Sequence, residues 1–176
     1  VCAMIWTTTP WTLPANEAVA VHPDLTYAAV HLDTADGPVT ALLAEQRVEP
    51  VLEVVRRKRG DWLRGREIVG TITGTQMAAE ALTYEHPLHA GKTCPVLTAN
   101  YVTVEDGTGM VHTAPGHGLE DYYTGRKNGL PISCPVQEDG TFDPSAPPAL
   151  RGLSVWEANP KVLELLRESG LLVADE

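Results

Sequence analysis

Gly107-Thr108-Gly109-Met110-Val111-His112-Thr113-Ala114-Pro115-Gly116-His117-Gly118-Leu119-Glu120-Asp121-Tyr122 reads as three pieces in succession. Residues 109–112 form a short β-type run, residues 115–118 a turn, and residues 119–127 a helix stopped by Asn128-Gly129. His112 therefore closes a strand and Asp121 opens a helix. Ends of this kind converge on clefts in α/β folds. Each residue also has an ordinary role, as a satisfied core histidine and as an acid complementing a helix N-terminus. His112 and His117 lack the helical HExxH pattern and have no CxxC pair beside them, so no metal site is expected.

A second segment stands near the start: Trp6-Thr7-Thr8-Thr9-Pro10-Trp11-Thr12-Leu13-Pro14-Ala15-Asn16. Pro10 and Pro14 exclude a regular central strand, so the threonines lie where a β-type run over residues 1–7 gives way to a loop. Side chains alternate along an extended chain, which puts Thr7 and Thr9 on one face. Hydroxyls donate and accept, and so suit holding a water or a ribose hydroxyl. Threonine is also an ordinary strand former.

Further strands are expected at Ala18–Val21 and residues 26–32, 39–43, 68–73, 95–104 and 132–136. Glu105-Asp106-Gly107 reads as a hairpin turn between residues 95–104 and 109–112. Helical spacing of Val48, Val51, Leu52 and Val55 predicts a helix over residues 44–57, with Pro50 in its first part. Val162, Leu163, Leu165 and Leu166 give residues 156–169 an apolar helical side, ended by Gly170. Many short strands with a few helices indicate an α/β domain with a curled, barrel-like core and peripheral helices.

The 176 residues, 43% of them hydrophobic, suffice for one core, so residues 1–176 are expected to be a single domain. The chain opens directly into a β-type run and reads as a piece of a longer protein. Cys2, Cys94 and Cys134 form no CxxC pair, which speaks for free thiols in a reducing cytoplasm. No apolar run reaches the roughly 18 residues that a membrane helix needs. With 13 basic and 23 acidic residues the formal charge is -10, which disfavours tight binding to phosphate backbones. Arg56, Arg57, Lys58, Arg59, Arg64 and Arg66 form the one basic cluster, either a phosphate-facing patch or a solvated helix end.

Together the two segments resemble the editing insertion of class I isoleucyl-tRNA synthetases, called connective peptide 1. Ala18-Val19-Ala20-Val21-His22-Pro23, Tyr84-Glu85-His86-Pro87-Leu88 and Asp139-Gly140 fit the same pattern, so the resemblance covers nearly the whole chain. The valine and leucine relatives share the architecture. They carry two threonines, Arg-Pro and an acid at the first segment, and Pro-Ala-His-Asp where this chain has Pro115-Gly116-His117-Gly118. Thr9, Trp11 and His112 point to the isoleucine group.

The resemblance implies hydrolysis of valine misattached to isoleucine tRNA, in a pocket that admits valine and excludes isoleucine. It implies that Asp121 binds the α-ammonium, that His112 lines and gates the side-chain pocket, and that Trp11 forms an apolar wall. Thr7, Thr8 and Thr9 hold the terminal adenosine and the attacking water, with Thr12 and Asn16 in support; His117 reads as structural. No general base is evident, and positioned water with help from the ribose hydroxyl suffices. The expected partners are the tRNA 3′ end carrying valine, valyl-adenylate, and the rest of the parent synthetase, which binds ATP. The domain itself is expected to be a cytoplasmic monomer with no cofactor. The family's later segment rich in Tyr, Ser, Pro and His is missing, so the fragment is expected to hydrolyse charged tRNA poorly. Other readings are an editing domain of a valyl- or leucyl-tRNA synthetase, a non-catalytic RNA-binding module, and a metal-free hydrolase of another small substrate.

Overall fold

A computed structural model describes residues 1–175. Its elements are β1 (Cys2–Ala3), β2 (Ala18–Val21), β3 (Thr26–Thr34), β4 (Val39–Ala44), α1 (Val48–Arg59), β5 (Leu63–Thr73), α2 (Gly74–Ala79), β6 (Thr83–Glu85), β7 (Thr93–Thr98), β8 (Met110–Thr113), α3 (Leu119–Asn128) and α4 (Val155–Glu168). Short 3-10 turns, among them Pro10–Ala15, join them.

All four side chains of β2 are buried, as expected of a strand covered on both faces. It lies inside a sheet of order β6-β7-β2-β8, with β7 parallel and β8 antiparallel to it. The second sheet has the order β1-β4-β3-β5. The curled core is thus two open four-stranded sheets rather than a closed barrel. A shared core joins them: Tyr27 and Ala44 of one sheet pack with Val19, Val21, Val96 and Met110 of the other. The Tyr27 hydroxyl donates to the Gly109 carbonyl at 2.9 Å and accepts from the His22 amide at 2.8 Å. Burial pushes that phenol up to about 12.

Residues 95–104 and 109–112 do not form a hairpin, because β2 stands between β7 and β8. β7 ends at Thr98, and the chain turns through Ala99–Tyr101. Val102 and Val104 serve the core as loop side chains instead of joining a ladder. Residues 132–136 make only a bridge from Val136 to Phe142, since Pro131 and Pro135 remove backbone donors from the run. Near the N-terminus only Cys2–Ala3 pairs, with β4. The first helix starts at Val48 rather than at residue 44, because β4 runs through Ala44 and a 3-10 turn intervenes. Pro50 then lies in the first turn, where its missing N–H leaves no bond unmade. α2 and β6, absent from the sequence reading, follow a capping box in which Thr73 and Gln76 satisfy each other's backbone amides.

α4 begins with a second capping box, Ser154 with Glu157. It buries Ala158, Val162 and Leu166 against Phe142, Ala146, Leu150 and Leu13. Leu13 belongs to the Pro10–Ala15 turn, so this helix carries the threonine-rich segment. Among the described residues no helix is long and apolar enough to cross a membrane.

Gly109 needs glycine on two counts, backbone conformation and space. Its φ is +72°, and a Cβ there would sit 2.5 Å from the Ala44 Cβ. Gly109→Ala should destabilise the domain by about 2–3 kcal/mol. The check is a lowered urea midpoint at unchanged slope; an unmoved midpoint would show that the loop yields freely.

Candidate active site

Two segments meet in a cavity of about 230 Å³ lined by Thr7, Thr9, Trp11, Thr12, His112, Ala114, His117 and Asp121. Pockets that enclose drug-sized ligands measure about 300–1,000 Å³, so this one suits a group of amino-acid size.

One wall is the Thr7–Thr12 stretch. The Thr9 amide donates to Thr7 Oγ1 at 3.0 Å, folding the chain just before Pro10. Pro10 starts the 3-10 turn and Pro14 lies inside it. The Trp11 amide donates to Asn159 Oδ1 of α4 at 3.0 Å. The Trp11 ring meets His117 edge-on, with centroids 5.2 Å apart and an interplanar angle of 89°. Thr8, by contrast, is exposed and lies outside the lining, with only a 3.4 Å contact to the Thr9 hydroxyl. Asn16 is buried outside the lining as well. Its Nδ2 donates to the Ala18 carbonyl at 2.9 Å and its Oδ1 accepts from the Tyr84 hydroxyl.

The opposite wall is the end of β8. His112 pairs in register with Val19 and is 9% exposed. The Thr12 hydroxyl donates to the Thr9 carbonyl at 2.9 Å, and its oxygen lies 3.0 Å from His112 Nε2. With its one proton committed, Thr12 accepts from His112, which places the imidazole proton on Nε2. His112 Nδ1 is then a buried acceptor with no partner among the described residues. Burial, and secondarily His117, push His112 down to about 4, so the ring is neutral.

Asp121 stands in the first turn of α3. Its Oδ2 accepts from the Ala114 amide at 2.8 Å, and its Oδ1 lies 3.4 Å from the Tyr101 hydroxyl. Burial raises its carboxyl above the usual range, opposed by those two donors and by His117. His117 is lowered by burial. The lining therefore holds one carboxylate, two neutral imidazoles and several hydroxyls. That set suits a cationic group next to a polar reacting centre.

The brace around the threonine segment escaped sequence reading. His89 Nε2 lies 3.0 Å from the Pro14 carbonyl, and Lys92 donates to the Asn16 carbonyl at 2.9 Å while pairing with buried Glu17 at 2.9 Å. Asn159, Ala114 and Tyr101 were missed too. Two of these act through a turn amide and a loop hydroxyl, and nothing local in sequence announces either. Among the described residues no group of three or more His, Cys, Asp or Glu is placed to hold a metal ion.

The model of a family described as "Leucyl-tRNA synthetase, editing domain" matches residues 39–149. The chain belongs to this family of class I aminoacyl-tRNA synthetase editing domains. Within it the chain is similar to isoleucine--tRNA ligases. It is 47% identical to that of Nitratidesulfovibrio vulgaris over 98% of this chain and 17% of the ligase. The ligase of Thiobacillus denitrificans gives 47% over 98% and 17%, and that of Methanothermobacter marburgensis 44% over 98% and 16%. The chain thus spans about a sixth of the length of these relatives. In fold it is similar to the crystal structure of GlLeuRS-CP1, with TM-score 0.72, 16% identity, and coverage of 99% of this chain and 84% of that one.

Two buried histidines give the fold a pH dependence. His86 Nδ1 accepts from the Leu88 and His89 amides at 3.0 Å each, and burial pushes its pKa down to about 3. Both His86 and His112 start from 6.5, so the unfolded chain binds their protons first on acidification. Their contribution to stability is full above about pH 6.5 and is lost as pH falls toward 4 and then 3. Neither imidazole should titrate above pH 5 by NMR, and His112 should show the Nε2–H tautomer. A midpoint near 6.5 for either would overturn this.

Proposed function

We propose that residues 1–176 form one editing domain of a longer, cytoplasmic isoleucine–tRNA ligase, and that its cavity hydrolyses the ester joining valine to isoleucine tRNA. The observation that carries this is the single carboxylate of Asp121 facing neutral His112 and the threonine hydroxyls across a cavity of about 230 Å³. The family assignment and the similarity to isoleucine--tRNA ligases support it.

The chemistry follows from the lining. Asp121 receives the α-ammonium, which every aminoacyl ester carries. His112 and Trp11 bound the side chain. Thr7 and Thr9 offer donors and acceptors to the ribose and to a water. Thr8, being exposed, would reach the substrate only from the rim, and Asn16 would act by shaping the turn. The water oxygen attacks the ester carbonyl, the bond from carbonyl carbon to ribose oxygen breaks, and the water proton passes to that oxygen. Valyl-adenylate carries the same aminoacyl group and is a second substrate. A hydrolytic sieve is needed because one methylene in an apolar pocket is worth only about 1–3 kcal/mol, a range known from this very discrimination.

His112→Ala enlarges the pocket by more than the methylene separating the two amino acids, so the synthetase should begin to deacylate isoleucyl-tRNA. Asp121→Ala leaves the ammonium without its partner and should lower valyl-tRNA deacylation at least about 100-fold with no substrate gained. Parallel assays on both charged tRNAs decide the matter. A His112→Ala enzyme dead on both would make the histidine catalytic rather than a gate.

The reaction proceeds without a metal or other cofactor. A chelator should leave valyl-tRNA deacylation intact, and zinc-dependent recovery from chelation would refute this.

The domain is a monomer that grips tRNA weakly by itself. Arg59 pairs with Asp36 at 3.1 Å and Arg66 pairs with Glu49. Arg56, Arg57, Lys58 and Arg64 have no ion pair among the described residues and are the clustered cations available to phosphates. Replacing Arg57 and Lys58 with Ala should weaken tRNA binding and flatten its salt dependence while leaving amino-acid preference unchanged. Unaltered salt dependence in a binding titration would place the contact elsewhere.

A further inference from the structure

We propose that Tyr101 is a positioning residue for Asp121, its hydroxyl orienting the carboxylate that receives the substrate ammonium. This rests on the functional reading above.

The two oxygens of Asp121 are held by different parts of the fold. Oδ2 takes the Ala114 amide at 2.8 Å, beyond the end of β8. Oδ1 faces the Tyr101 hydroxyl at 3.4 Å, from the turn after β7. A carboxylate offers about four lone-pair sites, so two donors orient it and leave the others for a third group. The Tyr101 separation is long for an O–H···O bond, and such contacts tighten when charge arrives in the site.

The tyrosine itself is well placed to hold position. It packs on buried Ala20, Ala99 and Val102. The Ala99 amide bonds to the Val21 carbonyl at 2.8 Å, which ties the turn to β2. Tyr101 also lines a second cavity of about 220 Å³ with Thr98, Asn100, Thr124 and Lys127. Tyr101 therefore lines one cavity while its hydroxyl reaches Asp121, which lines the other.

The other titratable groups facing Asp121 are His117 of the turn and His112 of β8, and the Thr7–Thr12 stretch brings none. Burial disfavours the ionised carboxylate, while the Tyr101 donor favours it. Loss of the hydroxyl must therefore move the Asp121 titration upward.

The test is Tyr101→Phe in the full-length synthetase, assayed on valyl-tRNA across pH. The acidic limb of kcat/KM should move to higher pH, and kcat/KM at neutral pH should fall about ten-fold, mainly through KM. The melting temperature should not change. In an Asp121→Asn background the same substitution should not further weaken binding of a non-hydrolysable valyl-adenosine analogue. An unmoved acidic limb, or additive losses in the double variant, overturns the assignment. If the unaltered enzyme fails to deacylate valyl-tRNA, the functional reading falls and this assignment with it. If the unaltered enzyme is active and Tyr101→Phe is silent, the positioning role alone falls.

Discussion

Thr12 is gripped from two sides, by the Thr9 carbonyl to which it donates and by the His112 ring from which it accepts. That chain of bonds joins a proline-locked turn to a strand at the edge of a sheet, and the candidate site exists only while the two stay joined. Leu13, the next residue, sinks into the core beneath α4, while Asn159 of the same helix holds the Trp11 amide. A helix remote in sequence thereby sets where the threonine hydroxyls stand. Displacing the turn would cost the packing of Leu13, a buried leucine worth about 2–5 kcal/mol by truncation. The site is rigid because it shares its supports with the core.

Electrostatics divides the labour differently. The cavity concentrates one carboxylate in a partly desolvated setting, where two neutral histidines add no charge to compete with an incoming cation. The chain as a whole carries a charge of -10, and its densest run of cations lies at the end of α1. On the proposed function, recognition of a small aminoacyl group and capture of a nucleic acid would be separable. The first would belong to the cavity, and the second to a few surface cations.

Local rules located the two segments that line the cavity because both are dense in residues whose backbone behaviour is restricted. Glycines and prolines mark the turns, Gly129 stops α3 in a left-handed conformation with φ 69°, and the alternation of Thr7 and Thr9 survives in the cavity lining even though the segment is not a strand. Where the reading failed, burial overrode propensity. Val102 and Val104 look like strand residues but fill the core from a loop, and residues 132–136 are β-branched and apolar yet proline-interrupted. α1 starts late because β4 continues through Ala44, whose side chain the shared core claims.

The sequence by itself determined the class of fold, the two segments that meet, and most of the side chains lining the cavity, since turn residues and helix caps act over a few neighbours. Only the tertiary structure decided that β2 separates β7 from β8, that the core is two open sheets, and that Thr8 and Asn16 stand outside the lining. It alone brought Tyr101, Ala114 and Asn159 to the residues of the candidate site. The reason is physical: strand order and the partners of a buried carboxylate are set by which distant surfaces bury one another. A backbone amide such as that of Ala114 has no side-chain signature from which such a partner can be read.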